Sequence, residues 1–253
     1  MQKRLVVIGD IHGCLEEFDE LLNLISYSKE NTNLILVGDF LERGPDSIGV
    51  IRKIQENNIL SVLGNHEDKF IRYHNHQDIF LKTGKKNPMK PLSTLSTEVF
   101  NKLTDDDWTW LSNLPLKLNP ISNLYVMHAG ASPNHPIDSQ SKTFLTKIRF
   151  IDSDGNMKSL NPDFSQPENT IYWTEKWNGF ESIIYGHAVH KDFQVRFDDR
   201  KNGVFCLGID TGCVFDGSLT AAIINSPSTF TNIEFVQVKA LKEYVNLKDF
   251  SCS

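Results

Sequence analysis

Residues 5–13, Leu-Val-Val-Ile-Gly-Asp-Ile-His-Gly, decide how the rest of the chain is read. Four apolar residues, mostly β-branched, are too few for a helix and suit a strand buried on both faces. Gly9 ends the run, and Asp10 and His12 follow at once. The same grammar recurs downstream. Leu34 to Val37 leads into Gly38-Asp39, Ile59 to Leu63 into Gly64-Asn65-His66, Leu124 to Met127 into His128, and Ile183 to Tyr185 into Gly186-His187. Each apolar run therefore delivers an Asp, Asn or His at its carboxyl end. An open α/β sheet collects its ligands in the loops beyond those ends.

Between the early runs the periodicity changes to that of helices. Leu15, Phe18, Leu21, Leu22 and Ile25 share one helical face, and so do Ile48, Ile51 and Ile54. Strand, helix, strand, helix, strand predicts βαβ crossovers and a parallel sheet. From about 69 to 120 the chain is polar, with aromatics at helical intervals, and reads as a small helical lobe. Within it Thr104, followed by three aspartates, caps a short helix whose apolar face is Trp108, Leu111 and Leu114. Strands resume at 124–127, 183–185, 204–209 and 218–224. The Pro, Ser, Asn and Asp content of about 131–170 predicts long loops over the site. A length of 253 residues suits one domain, 1–253, carrying these insertions.

The apolar share of 40% and charged share of 23% are ordinary for a soluble globular protein. A net charge of -6 argues against a general nucleic-acid coat or an acidic-membrane binder, which need a basic surface. It leaves room for a local basic cleft. Cys14, Cys206, Cys213 and Cys252 form no CxxC pair, so reduced thiols and a cytoplasmic location are expected. The first apolar run is too short for a signal peptide, and no later run reaches transmembrane length.

Asp10, His12, Asp39, Asn65, His128 and His187 together offer carboxylate oxygen, amide oxygen and imidazole nitrogen. Divalent metals of intermediate softness take that mixture. Six donors exceed what one catalytic ion with open positions needs, so two ions sharing a carboxylate fit better, with Asp39 the natural bridge. Singly, each residue has a plainer reading, because an Asp or His after a strand is usually turn chemistry. Recurrence across separate loops argues for a site. His74 and His76, in a polar helical stretch, read as surface residues, and His135 and His190 as solvated loop residues.

In order, GDIHG (9–13), GDFLERG (38–44), GNHE (64–67), HAG (128–130) and YGH (185–187) resemble the signature of the phosphoprotein phosphatase family of metallophosphoesterases. That family includes serine/threonine phosphatases and diadenosine tetraphosphatases. The resemblance covers about Leu5 to Ile224. It implies an α/β fold, an αββα sandwich of two mixed sheets flanked by helices. It also implies hydrolysis of a phosphate ester or anhydride by a hydroxide shared between two metal ions. By the same resemblance, Asp10, His12 and Asp39 hold the first ion, and Asp39, Asn65, His128 and His187 the second. Asn65 and Arg43 also hold the phosphoryl group, a task for which a guanidinium fork is well shaped. His66 protonates the departing oxygen. Many members carry an Asp that steadies this histidine where the present chain has Glu42, whose longer arm can do the same or point elsewhere. Manganese is the metal implied, and the same ligands accept iron, zinc or cobalt.

The stretches LTKIRFIDSDGNMKSL (145–160), WTEKWNGFESIIYGH (173–187) and LGIDTGCVFDGSLTAAI (207–223) are similar to the bacterial diadenosine tetraphosphatase branch and its asymmetrically cleaving relatives. Arg149 then becomes a second phosphate clamp. The expected substrate is a phosphorylated nucleotide, either diadenosine tetraphosphate or a related capped RNA end. A serine/threonine protein phosphatase would use the same metals in a differently shaped cleft. An inactive phosphate-binding module, the third reading, is opposed by the intact ligand set.

Overall fold

A computed structural model describes residues 3–163, 165–225 and 233–246, so Cys252 lies outside the described residues. Strands β1 (Arg4–Ile8), β2 (Thr32–Leu36) and β3 (Leu60–Ser61) pair in parallel, linked by helices α1 (Leu15–Leu24) and α2 (Ser47–Asn57). Strands β12 (Ser218–Ile224) and β13 (Ile233–Lys239) extend this sheet antiparallel on the other side of β1, giving the order β13-β12-β1-β2-β3. The second sheet runs β10-β11-β9-β5-β4. Its centre is parallel, formed by β5 (Leu124–Met127), β9 (Ser182–Tyr185) and β11 (Phe205–Gly208). Strands β4 (Lys117–Ile121) and β10 (Arg196–Asp199) close its two edges antiparallel. Both sheets are therefore mixed.

The run at residues 5–8 is continuously apolar because each of its faces is buried. Val6 and Ile8 pack with Phe18 and Leu21 of α1 and with Val50 and Ile51 of α2. Leu5 and Val7 point the other way, against Leu124, Val126, Ile184 and Leu207 of the second sheet. The second sheet turns Met127, Ile183, Tyr185 and Cys206 outward, where Leu145 of α6 (Lys142–Lys147), Trp173 and Trp177 cover them. Helix, sheet, sheet and helix thus stack as layers, with the carboxyl ends of β1, β2, β3, β5 and β9 meeting at one rim.

Several boundaries differ from the sequence reading. Helix α3 (Asn65–Thr83) starts inside the GNHE motif, and α4 (Thr94–Lys102) and α5 (Asp105–Ser112) complete the helical stretch. Residues 117–121 belong to the second sheet, where Pro120 is tolerated because β4 is an edge strand with a register irregularity. The stretch read as loop over 131–170 contains α6 and the hairpin of β6 (Phe150–Ile151) with β7 (Met157–Lys158). A third strand, β8 (Ile171–Tyr172), pairs with β6. These elements are too short to show a period. His74 is not a plain surface residue, because its ring stacks on Trp108 at 4.2 Å. His190 is likewise half-buried, edge-on to Tyr172 at 5.0 Å, and burial pulls its pKa down to about 4.

Candidate metal centre

Backbone carbonyls orient the three imidazoles. His12 Nδ1 lies 3.0 Å from Leu41 O, His128 Nδ1 lies 2.8 Å from Val37 O, and His187 Nε2 lies 3.2 Å from Lys147 O. A carbonyl can only accept, so each ring spends its one neutral N–H outward. His12 Nε2, His128 Nε2 and His187 Nδ1 are left as lone pairs facing the rim, the arrangement that ligating histidines adopt. Burial, with neighbouring arginines adding, holds His12 and His187 well below the usual imidazole pKa and keeps both rings neutral.

Asp39 is the common member. Its Oδ2 lies 3.3 Å from His128 Nε2 and 3.8 Å from His12 Nε2, while Oδ1 accepts the His66 amide at 2.9 Å. Two groups of potential ligands, His12-Asp39-His66 and Asp39-His128-His187, share this carboxylate, with the ligand atoms of each group within 4.8 Å of one another. Asn65 Oδ1 lies 2.9 Å from His128 Nε2. Asp10 takes the His187 amide at 3.1 Å, and its Oδ2 lies 4.0 Å from His12 Nε2. The first geometric group contains His66 in place of Asp10, which stands just beyond it.

This donor set fits divalent cations. His128 Nε2, Asn65 Oδ1 and Asp39 Oδ2 are all acceptors once His128 has given its N–H to Val37, yet they crowd together. Burial drives the Asp10 pKa well above the carboxylate range, with the Asp210 and Asp39 charges adding. Crowded acceptors and repelling carboxylates are what a bound cation would reconcile. The Arg43 guanidinium already serves His12 in that sense, donating from Nη1 to Nε2 at 2.8 Å.

His66 occupies the first turn of α3, and its Nδ1 donates to Glu42 Oε2 at 2.5 Å. The longer arm of glutamate therefore does reach the histidine. Lys69 Nζ donates to Glu42 Oε1 at 2.9 Å, and Ser96 Oγ donates to the same oxygen. Burial pushes the Glu42 pKa up, but the His66 hydrogen bond and then the Lys69 charge outweigh it and hold it at about 2. Arg149 Nη2 donates to His187 O at 2.8 Å, which sets the guanidinium at the rim beside His187. All ten site residues singled out from sequence thus gather at one rim.

Sequence reasoning missed four residues. Glu67 is fully buried and accepts the amides of Asp39 (2.8 Å), Leu41 (3.0 Å) and Gly64 (3.1 Å), tying the Asp39 loop to the start of α3. Its signal was present in the GNHE motif. Asp210 follows β11 as Gly208-Ile209-Asp210, one residue further from its glycine than Asp10 is from Gly9, and burial pushes its carboxyl up to about 6. Lys69 and Ser96 reach Glu42 only through tertiary packing. The backbone is strained here too. His12 (φ 47°), Asp39 (φ 49°), Glu42 (φ 66°), Arg43 (φ 72°) and His187 (φ 68°) all hold the left-handed region, which side chains other than glycine enter at a cost.

Known proteins share this architecture. Residues 3–191 match the model of the calcineurin-like phosphoesterase family. The bis(5'-nucleosyl)-tetraphosphatase PrpE [asymmetrical] of Oceanobacillus iheyensis is 29% identical, over 99% of this chain and 98% of its own length. The bis(5'-nucleosyl)-tetraphosphatase, symmetrical, of Wigglesworthia glossinidia brevipalpis is 28% identical, over 85% of this chain and 93% of its own. A crystal structure of a protein provisionally described as a diadenosine tetraphosphatase superimposes with a TM-score of 0.72 at 26% identity, covering 95% of both chains. The two mixed sheets, and the ordered motifs at their shared rim, have the same explanation as these matches: the chain is a hydrolase of phosphate ester or phosphoanhydride bonds and belongs to the calcineurin-like phosphoesterase family.

Proposed function

We propose that the chain hydrolyses the phosphoanhydride bridge of a dinucleoside polyphosphate such as diadenosine tetraphosphate, and that it cuts asymmetrically. The observation that carries this reading is the end-to-end match to the asymmetrical tetraphosphatase of Oceanobacillus iheyensis. That match runs well past the catalytic motifs, through the Arg149 region and to both ends of the sheets.

Asp10, His12 and Asp39 would hold one divalent ion, and Asp39, Asn65, His128 and His187 the other. The mixed oxygen and nitrogen donors suit manganese. When bound, such a pair acidifies a water so that hydroxide exists near neutral pH and sets positive charge against the phosphoryl oxygens. The chain's own groups do the rest. Arg43 and Arg149 donate to the phosphoryl oxygens as charge builds on them. Arg43 does so after leaving His12 Nε2. Asn65 helps to hold the group in line. In its imidazolium form His66 gives the Nε2 proton to the departing nucleotide oxygen, a contribution of about 10²–10⁴-fold, and is left as the neutral ring whose Nδ1–H Glu42 holds. Glu42 keeps the other ring nitrogen protonated and the ring fixed.

No described helix is long and apolar enough to cross a membrane. Cys14, Cys206 and Cys213 are free thiols, which suits work in the reducing cytoplasm.

The test is chromatography of the products after manganese-loaded protein meets diadenosine tetraphosphate, with a phosphothreonine peptide alongside. AMP plus ATP is expected. ADP alone would keep the nucleotide reading and reverse the asymmetry. An intact dinucleotide beside a dephosphorylated peptide would make the protein a protein phosphatase, and no turnover of either would favour a binding module.

A further inference from the structure

Beside the candidate metal centre a cleft of about 270 Å³ opens to solvent. Its lining joins Asn65 and His187 of the candidate centre to the cations Lys147, Arg149 and Lys158 and to the apolar Met157 and Leu160. The local fold explains this order. Lys147 is the last residue of α6, and its carbonyl is the one that takes His187 Nε2–H, so its backbone abuts the centre. Arg149 follows two residues later and holds the His187 carbonyl. The chain then enters β6, and the hairpin register puts Phe150 opposite Lys158 and Ile151 opposite Met157. Three cations that the hairpin and α6 hold in one wall of an acidic protein demand an anion longer than a single phosphate. Of the three, Arg149 is tied by its side chain to a candidate ligand residue, through the His187 carbonyl.

Resting on the nucleotide reading above, we propose that this cleft is the subsite for the remote part of a nucleoside polyphosphate. Lys147 and Lys158 hold the phosphates beyond the scissile one, and Met157 and Leu160 support the nucleoside. Asp152 orients Lys158 through an ion pair of 3.0 Å, leaving its half-exposed ammonium free to take phosphate oxygens as well. The cleft volume lies near the lower end of the range for small-molecule sites. It therefore suits one nucleotide arm.

The double variant Lys147→Ala/Lys158→Ala tests the assignment. KM for diadenosine tetraphosphate should rise tenfold or more, while KM for para-nitrophenyl phosphate, which needs only the centre, should rise less than threefold. Equal rises for both substrates would show a general electrostatic field, and no rise for either would show an unused cleft; each overturns the subsite. If the dinucleotide is not cleaved at all, the nucleotide reading fails separately. The subsite is then judged by competitive inhibition of para-nitrophenyl phosphate turnover by the uncleaved dinucleotide. Inhibition that the double variant loses supports it, and absent or unaltered inhibition overturns it.

Discussion

Glu42 touches no reacting atom of the proposed reaction, and its proposed part is to position His66. It grips His66 Nδ1 at 2.5 Å and is itself held by Lys69 and Ser96, so the histidine ring has one orientation, with Nδ1–H toward the carboxylate. Glu42→Gln should lower kcat by about 10–100-fold with KM changed little, as loss of a supporting hydrogen bond does. A fall in kcat/KM carried by KM alone would refute the positioning role. The same residue predicts an acid response. Glu42 titrates at about 2 in the fold against 4.5 ordinarily. Its contribution to stability is therefore fully present above about 4.5 and is lost as pH falls through about 2. Urea titrations of wild type and Glu42→Gln should show a stability gap at pH 5 that narrows by pH 2.5. The candidate metal-binding residues that gather at the rim were legible in sequence because residue type and position after a strand both mark them. Ser96 was not, because nothing local distinguishes the serine of α4 that meets Glu42 across 54 residues of chain.

At the scale of elements, the site depends on how closely the β2 loop approaches the start of α3. Gly38 has φ +90°, and a Cβ there would stand 2.6 Å from Gly64 N and 2.8 Å from Gly64 Cα. A Cβ on Gly64 would overlap the Asp39 amide and Oδ1. Gly64→Ala should therefore push α3 away from the Asp39 loop, loosen the three amide bonds of Glu67, and cost about 1–3 kcal/mol. The check is a thermal melt together with metal content by elemental analysis, and both should fall; an unchanged melt with two equivalents of metal would contradict it. The helix starts were legible where capping chemistry is explicit. Thr104 Oγ1 accepts the Asp107 amide at 3.3 Å, and Asp107 Oδ2 takes the Thr104 amide at 2.9 Å. Strand β10, Arg-Phe-Asp-Asp, was not legible, because a charged edge strand carries no apolar run and is protected from mispairing for that reason. The two-residue strands β6 to β8 are set by tertiary pairing alone.

For the whole molecule, the two sheets are sewn together at the apolar interface of Leu5, Val7, Ile184 and Leu207, and the candidate metal-binding residues of both meet at the rim. Metal should therefore stabilise the entire fold. At a hundred times its Kd a ligand adds about 2.7 kcal/mol. In a chain of this size that is roughly 5–10 °C of Tm. Chelation should lower Tm by about that amount, and Asp39→Asn protein, lacking the shared carboxylate, should show less than half the shift. Equal shifts would mean that Asp39 does not serve both sheets. An ion pair between Lys142 of α6 and Asp68 of α3, 2.5 Å apart, adds a second clasp between the helical layers. The left-handed residues at the rim carry a different consequence, for inheritance. His12, Asp39, Glu42, Arg43 and His187 are each held in a conformation that glycine would occupy without strain. At each of these positions, drift toward glycine would relieve the backbone and forfeit the chemistry. Lineages that no longer need turnover should accumulate glycine at these sites first, and Arg43→Gly should give a protein that melts higher and turns over less.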